Sequence, residues 1–335
     1  MVDNADQNGD PDWLKNLPIR SEEIGFAPDK LVKCPNCGKA NAPNRTTCLY
    51  CGAPPAGVSG ADRLEIRAIE NWENGSNIVL MDAGDGEFEK AADLMAGVAG
   101  SDREIFNAAF ESGKQVPLVR VASAEQAEWV VQKLRELRIE TAVVDDAVLQ
   151  ANVPPLRLRS IGFEADQLNL GLFNVGEVYP IAADDLILIV AGTIVEGRKE
   201  SVERRKLRGA KMLDEASTSS DEPIIDLYSK NDPLGWRIPA RGFDFSCLGP
   251  GKSLLVGENM KKLIARLVEF APRARFSDDY ASVMSLVEPV WPIEVRREGR
   301  ILDRKDVSTV FMTNNATQFT KYSRMQWRLL YEEKV

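Results

Sequence analysis

Histidine is absent from the 335 residues. That excludes Ser-His-Asp triads, histidine metal ligands and imidazole acid–base chemistry, and leaves carboxylate, lysine and cysteine chemistry. Long apolar runs are also missing. The longest, Leu186–Val195, has ten residues, where a membrane-spanning helix needs about 20. The opening stretch, MVDNADQNGDPDW, is acidic and has no apolar centre, so no secretory signal is expected. Positive charge is in deficit: 42 Lys and Arg stand against 51 Asp and Glu, a net −9. Bulk electrostatics therefore do not favour nucleic acid or a membrane. These absences predict a soluble, cytoplasmic protein, and the length predicts two or three domains.

What is present begins with cysteine. Four of the five lie in CPNCGKANAPNRTTCLYC as Cys34, Cys37, Cys48 and Cys51. A two-residue gap lets one tight turn offer two thiolates to one metal, and two such turns complete a tetrahedron. Gly38 and Gly52 follow the pairs, where a positive φ ends each turn. Lys33, Lys39 and Arg45 are placed to offset the net charge of about −2 that four thiolates and Zn²⁺ leave. The alternative is two disulfides, but a reducing compartment favours the metal. All four ligand positions are filled, so the expected zinc is structural and no position is open to substrate.

The spacing, with Asn41 in its middle, resembles the zinc finger of Ran-binding proteins and the zinc ribbon of many bacterial proteins. In the Ran-binding type a Trp precedes the first cysteine by two residues, and a Thr-Phe pair reads ubiquitin in some members. Here those positions hold Val32 and Gly38-Lys39. The resemblance therefore implies zinc, not RNA or ubiquitin reading.

Residues 1–30 are polar and acidic and read as a disordered tail. Within it, Trp13, Leu14 and Leu17 share a side of one helical turn between Asp12 and Pro18. That turn serves as a docking anchor or packs on the protein's own surface. The ribbon occupies 31–54. After a linker at 53–62, residues 63–147 form a compact α/β unit. Ile78–Met81 reads as a strand. Phe88, Ala91, Leu94, Met95 and Val98 recur at helical spacing, and Gly97 and Gly100 end that helix. Ser101-x-x-Glu104 reads as a capping box for a second helix, Ser123-x-x-Gln126 for a third. Val116–Val121 and Ile139–Val144 supply strands. This β-α-α-β-α-β order, carried by NIVL, EKAADLMAGVAGSDREIFNAAFESG and SAEQAEWVVQKLRELRIETAVV, resembles the C-terminal domain of the bacterial ribosomal stalk protein. The fold is what that resemblance implies. The turn Val98–Asp102 lacks the Leu and Lys with which that family recruits translation factors.

A second linker, 146–155, leads to a strand-rich domain at 154–288. Strands are expected near 156–159, at Gln167–Phe173, Glu177–Ile181, Leu186–Val190, Thr193–Glu196, Ile224–Tyr228, Gly235–Ile238 and Phe243–Cys247. An amphipathic helix with Leu263, Ile264, Leu267 and Val268 follows. Strands closed by one helix resemble a pleckstrin-homology domain over 156–271. Residues 197–223 read as an insertion: a basic part from Arg198 to Lys211, then the acidic, hydroxyl-rich DEASTSSDEP. It is a solvated loop or an anion-binding arm for nucleic acid or an anionic surface. A helix within 277–286 is expected next. The extension 289–335 carries a strand at Val307–Met312 and an aromatic, basic segment, Gln318–Leu330. That segment docks on its own domain or stacks on single-stranded bases. Gly249-Pro250-Gly251-Lys252-Ser253 imitates the end of a phosphate-binding loop, but Ser246 stands where the motif needs its first glycine, so it reads as a plain loop. Cys247 reads as a buried small residue.

The expectation is a multidomain α+β protein: zinc ribbon, β-α-α-β-α-β domain, and strand-rich domain with C-terminal helices. Its expected role is a non-enzymatic interaction or adaptor protein with a protein partner. The rivals are a nucleic-acid- or ribosome-associated factor and an enzyme with a carboxylate site.

Overall fold

The computed structural model describes residues 31–34, 36–41, 48–51, 66, 69–70, 73–173, 176, 178–205, 211–303 and 306–332; of 202–205, 211–215, 299–303, 306–308 and 332 it describes the backbone. The tail with Trp13, the linker 53–62, Arg45, Gly52, Lys206 and Arg208 lie outside the described residues. The fold is mixed α+β, with strand-rich sheets and several helices. The chain divides into two compact units, Met1–Glu65 and Ile66–Val335.

In the first unit, β1 (Val32–Lys33) pairs antiparallel with β2 (Ala40–Asn41), and the cysteine turns sit on this ribbon. The second unit opens with β3 (Ser76–Asp82), α1 (Phe88–Ala99), α2 (Arg103–Ser112), β4 (Pro117–Val121), α3 (Ala124–Glu136) and β5 (Glu140–Asp145). β3 lies between β4 and β5 and is antiparallel to both. Ile78, Val79 and Leu80 are almost fully buried, so β3 is covered on both faces. That is why Ile78, Val79 and Leu80 run on as apolar residues rather than alternating. Gly97 lies inside α1; the helix ends at Gly100, whose φ of 63° is left-handed and whose N–H reaches the Ala96 carbonyl at 2.9 Å. The Ser101–Glu104 capping box does not form. Asp102 is the N-cap, which puts Glu104 one position too early to reach back. Ser123 does cap α3, accepting from the Gln126 N–H at 3.3 Å, while Gln126 Oε1 accepts from Ala122 N–H at 3.0 Å.

The rest of the unit is built on a nine-stranded sheet. Its strands are β6 (Leu156–Phe163), β7 (Gln167–Leu172), β8 (Val178–Ala182), β9 (Leu186–Arg205), β10 (Lys211–Ser229), β11 (Trp236–Pro239), β12 (Arg275–Ser277), β13 (Glu294–Asp303) and β14 (Asp306–Asn314). The order is β13-β14-β9-β10-β11-β6-β7-β8, with β12 beside β9. The helices are α5 (Val256–Phe270), α6 (Tyr280–Val287) and α7 (Ala316–Glu332), and α4 is the short turn Asp146–Leu149. The first half of β9 and the last half of β10 are buried on both faces. Leu188, Val190 and Tyr228 join the core that contains Phe319 and Tyr322 of α7. Ile189 and Leu227 join the core that contains Met260, Leu263 and Leu267 of α5.

Three expectations change here. The stretch 197–223 is not an insertion between strands. The ladder runs on through it, from Thr193↔Pro223 to Arg205↔Lys211, and β14 pairs with the same half of β9. Its charged and hydroxyl residues give no apolar period to read, yet backbone pairing needs none. Second, Phe243–Cys247 is not a strand. Phe243 and Phe245, two residues apart, meet edge to face at 5.0 Å, and a 3₁₀ segment, Phe245–Gly251, begins there. Third, the sheet is not closed by one helix. It takes β12, β13 and β14 from beyond α5, and α7 lies against it.

α7 is the hub of this unit. It is buried on nearly every side from Gln318 to Leu330, and most of its polar groups find partners inside, although Arg324 Nε has none. Gln318 donates to the Trp291 carbonyl at 2.6 Å and accepts from the Tyr280 hydroxyl at 2.6 Å. Ser323 bonds the Tyr228 hydroxyl at 2.9 Å. Arg324, 1% exposed, donates to the carbonyls of Leu149, Gln150, Val153 and Leu234 at 3.0, 2.5, 2.8 and 3.1 Å. The stretch 146–155, expected as a free linker, is thus fixed to α7. The Phe319 ring approaches Gly192 so closely that a Cβ there would stand 2.3 Å from it.

Candidate metal centre

The ribbon turns place four sulfurs together. Cys34 N–H donates to the Lys39 carbonyl at 2.9 Å, and Gly38 N–H to the Cys34 carbonyl at 2.8 Å. The turn closes at Gly38 with φ +69°, a conformation that glycine adopts without strain. Cys34 Sγ lies 3.6 Å from Cys51 Sγ, and Cys37 Sγ 3.5 Å from Cys48 Sγ. All four sulfurs fall within 4.8 Å of one another. Disulfide sulfurs would be about 2 Å apart. A tetrahedron of thiolates with metal–sulfur bonds of about 2.3 Å has edges of about 3.8 Å. The spacing fits a shared ion, and all four cysteines are free thiols.

Groups around the sulfurs favour thiolates. Asn41, buried, donates Nδ2–H to Cys48 Sγ at 3.4 Å and to the Lys39 carbonyl at 2.9 Å, while its Oδ1 accepts from Leu49 N–H at 2.8 Å. It ties the two cysteine turns together. Tyr50 N–H also donates to Cys48 Sγ at 3.4 Å, and Asn36 Nδ2–H to Cys51 Sγ at 3.7 Å. Burial opposes ionisation of Cys48, but the N–H groups of Tyr50 and Cys51 overcome it and bring the thiol down to about 6. Cys37 goes the other way. The Lys39 N–H favours its thiolate, yet burial and the neighbouring sulfurs push it up to about 12. Four thiols this close do not all ionise without a cation among them, and a metal supplies it. Cys34, Cys37, Cys48 and Cys51 are therefore positioned to bind one metal ion. The Lys39 ammonium lies 4.6 Å over the Tyr50 ring. Asn36 and Asn41 are the functional residues that spacing alone did not assign a role. Outer-shell donors of this kind orient ligands and tune the metal.

No family model, curated protein or solved structure matches the chain.

The other sequence candidates do not converge. In 249–253, the Lys252 ammonium is 3.9 Å from Asp244, and the Ser253 hydroxyl donates to Glu258 at 2.5 Å. α5 begins at Val256, three residues too late for a phosphate cradle. Cys247 is half-buried; burial raises its thiol, with the Arg266 cation opposing, and a raised thiol is a poor nucleophile. The aromatics of 318–330 are not offered to bases: Phe319, Tyr322 and Trp327 are buried. The basic stretch is split by the strand geometry. Arg198 stands opposite Thr218 and Met312, and Lys199 opposite Ser217 and Phe311, so the two bases lie on opposite faces of the sheet.

One buried and one half-buried carboxylate emerge that sequence reasoning missed. Asp226, fully buried, receives both arms of Arg237 at 2.7 and 2.8 Å, and Arg237 also donates to Thr320 at 3.0 Å. Asp146 accepts from Arg120 at 2.6 Å, Gly75 N–H at 2.8 Å and Asn77 at 3.0 Å. Each pairs with an arginine rather than with a second carboxylate. The one sequence signal for Asp226 is an acid inside the apolar run Ile224–Tyr228. No helix among the described residues is long and apolar enough to cross a membrane.

Proposed function

We propose that this chain is a cytoplasmic interaction protein without catalytic activity, whose ribbon is held by one structural Zn²⁺. The carrying observation is the closed set of four sulfurs within 4.8 Å. Zinc is the ion that all-thiolate tetrahedra suit best. A filled shell leaves no position for substrate, so the ion supplies folding energy rather than Lewis-acid chemistry. The ribbon resembles the Ran-binding-protein finger, and residues 76–145 resemble the stalk-protein domain in element order. The first supports the metal and the second the fold of that segment. Leu49 and Tyr50, 62% and 56% exposed on the second cysteine turn, give the ribbon an apolar contact surface for a protein partner. Elemental analysis of the purified chain tests the reading: one zinc per chain is expected, lost in Cys48→Ser. A ratio near zero, or an unchanged ratio in the variant, removes the ribbon's metal from the account.

A nucleic-acid reading has one observation in its favour. Arg297 lies 5.6 Å over the Phe311 ring, on the sheet face that also carries Lys199. Cations beside an aromatic on a sheet suit single strands. RNA affinity that falls steeply with salt and drops in Arg297→Glu supports this reading. Equal, salt-independent binding by parent and variant rejects it.

A further inference from the structure

The turn between the 3₁₀ segment and α5, with the first residue of α5, carries three consecutive exposed apolar residues. Leu254 is fully exposed, Leu255 is 62% exposed and Val256 46%. Leucines in a mobile turn would need no explanation, but this turn is tightly held. Asn259, buried, accepts from Ser253 N–H at 2.7 Å and donates to the Ser253 carbonyl at 2.8 Å. Ser253 Oγ accepts from Leu255 N–H at 3.2 Å, and Lys262 donates to the Gly251 carbonyl at 2.7 Å. Each bond fixes backbone so that the side chains project outward. Apolar groups pre-organised in this way lose little entropy on binding.

Continuous with this knob, and walled on one side by Leu254 and Val256, is an open groove of about 710 Å³. Phe243, Phe245 and Ala240, all buried, contribute to its floor. Asp221 and Glu222 line it from β10, and Arg241 and Lys252 from the turns that follow β11. The surface therefore holds a protruding apolar knob, an apolar-floored groove that accepts one, and walls of both signs.

We propose that this face is a two-fold interface between two copies of the chain: the Leu254–Leu255 knob of each copy enters the groove of the other. Isologous interfaces need one patch complementary to itself. Here knob matches groove, and a two-fold axis sets Asp221 and Glu222 of one copy against Lys252 and Arg241 of the other. The same acids disfavour an anionic bilayer, which an apolar knob beside lysines would otherwise suit. The inference is independent of the metal reading, because it uses residues 221–262 alone.

Sedimentation velocity of the full chain across a concentration series tests it. The parent is expected to shift from monomer to dimer as concentration rises. Leu254→Asp is expected to weaken dimerisation about thirtyfold or more, the scale of a hot-spot loss. Lys252→Glu is expected to weaken it, and Lys252→Glu with Asp221→Lys to restore it. These side chains are exposed, so folding is checked by an unchanged circular dichroism spectrum. A parent that stays monomeric at every concentration overturns the proposal. So does a dimer indifferent to Leu254→Asp, and so does a monomer that floats with phosphatidylserine vesicles through the same leucine.

Discussion

The ribbon and the unit from Ile66 onward are stabilised by different chemistry. Between Cys34 and Cys51 the described buried residues are two thiols and one asparagine, Cys34, Cys48 and Asn41. Among the described residues there is no apolar core to set against chain entropy, and a bound ion would supply the missing stabilisation. From β3 onward the buried residues are mostly aliphatic and aromatic, and several of the polar ones are tied by hydrogen bonds and ion pairs. Arginine is the recurrent fastener: Arg120 on Asp146, Arg237 on Asp226, and Arg324 on four carbonyls. One region offers a single four-thiol site that a metal would hold together, the other a packed interior with arginine clasps. The two should fail under different insults.

The largest expected effect is on the ribbon. Structural zinc supplies about 10–16 kcal/mol in small fingers. Cys48→Ser is expected to abolish order between Cys34 and Cys51 and open it to trypsin, while the main thermal transition stays where it is. A lowered main transition would break the distinction between the two regions.

Next comes Arg324→Met. It leaves the Leu149, Gln150, Val153 and Leu234 carbonyls without their donor, and a loss of about 3–5 kcal/mol is expected from urea unfolding. Burial lowers the Arg324 guanidinium's affinity for its proton, so the cation is kept by its acceptors. Arg324→Lys is expected to recover only part of the loss, since one ammonium cannot span that fork. Full recovery with lysine would show that charge, not geometry, is what matters.

Gly192→Ala sharpens the packing side. The added methyl meets the Phe319 ring, which is itself pressed edge-on to Tyr280 at 4.9 Å. Overpacking of about 1–3 kcal/mol is expected. A neutral result would mean that α7 shifts freely on the sheet.

The smallest effect is at Asp244, whose side chain accepts from Ser246 N–H at 2.9 Å and is held below the usual carboxylate range by that bond. Asp244→Ala is expected to cost about 0.5–1 kcal/mol near neutral pH, as an exposed cap does. Because the folded pKa is depressed, the contribution is present above the unfolded value of about 3.9 and disappears as pH falls through the folded one. Parent and variant should converge in acid; a gap that persists there contradicts the cap.

The comparison also explains what the sequence disclosed. The cysteine spacing was legible because ligand geometry is local. The order β-α-α-β-α-β was legible because Ala91, Met95, Phe106, Phe110, Val130 and Leu134 recur at helical period and are buried. The long ladder of β9 and β10 was hidden beyond Val195, where Glu, Arg and Ser replace the apolar run and backbone bonds alone make the strand. Arg324 was hidden because an arginine in a helix reads as a solvent-facing cation until its acceptors are seen, and those lie some 90 to 175 residues away. Asn41 stood in plain view between the cysteines, but its bonds to both turns required coordinates.

Hydrogen exchange of the intact chain, read by mass spectrometry with and without a zinc chelator, tests the central claim most directly. The account predicts that amides from Val32 to Cys51 lose their protection on chelation, and that β3, β9, β10 and α7 keep theirs. Protection that is unchanged in the ribbon, or lost in α7 as well, would contradict it.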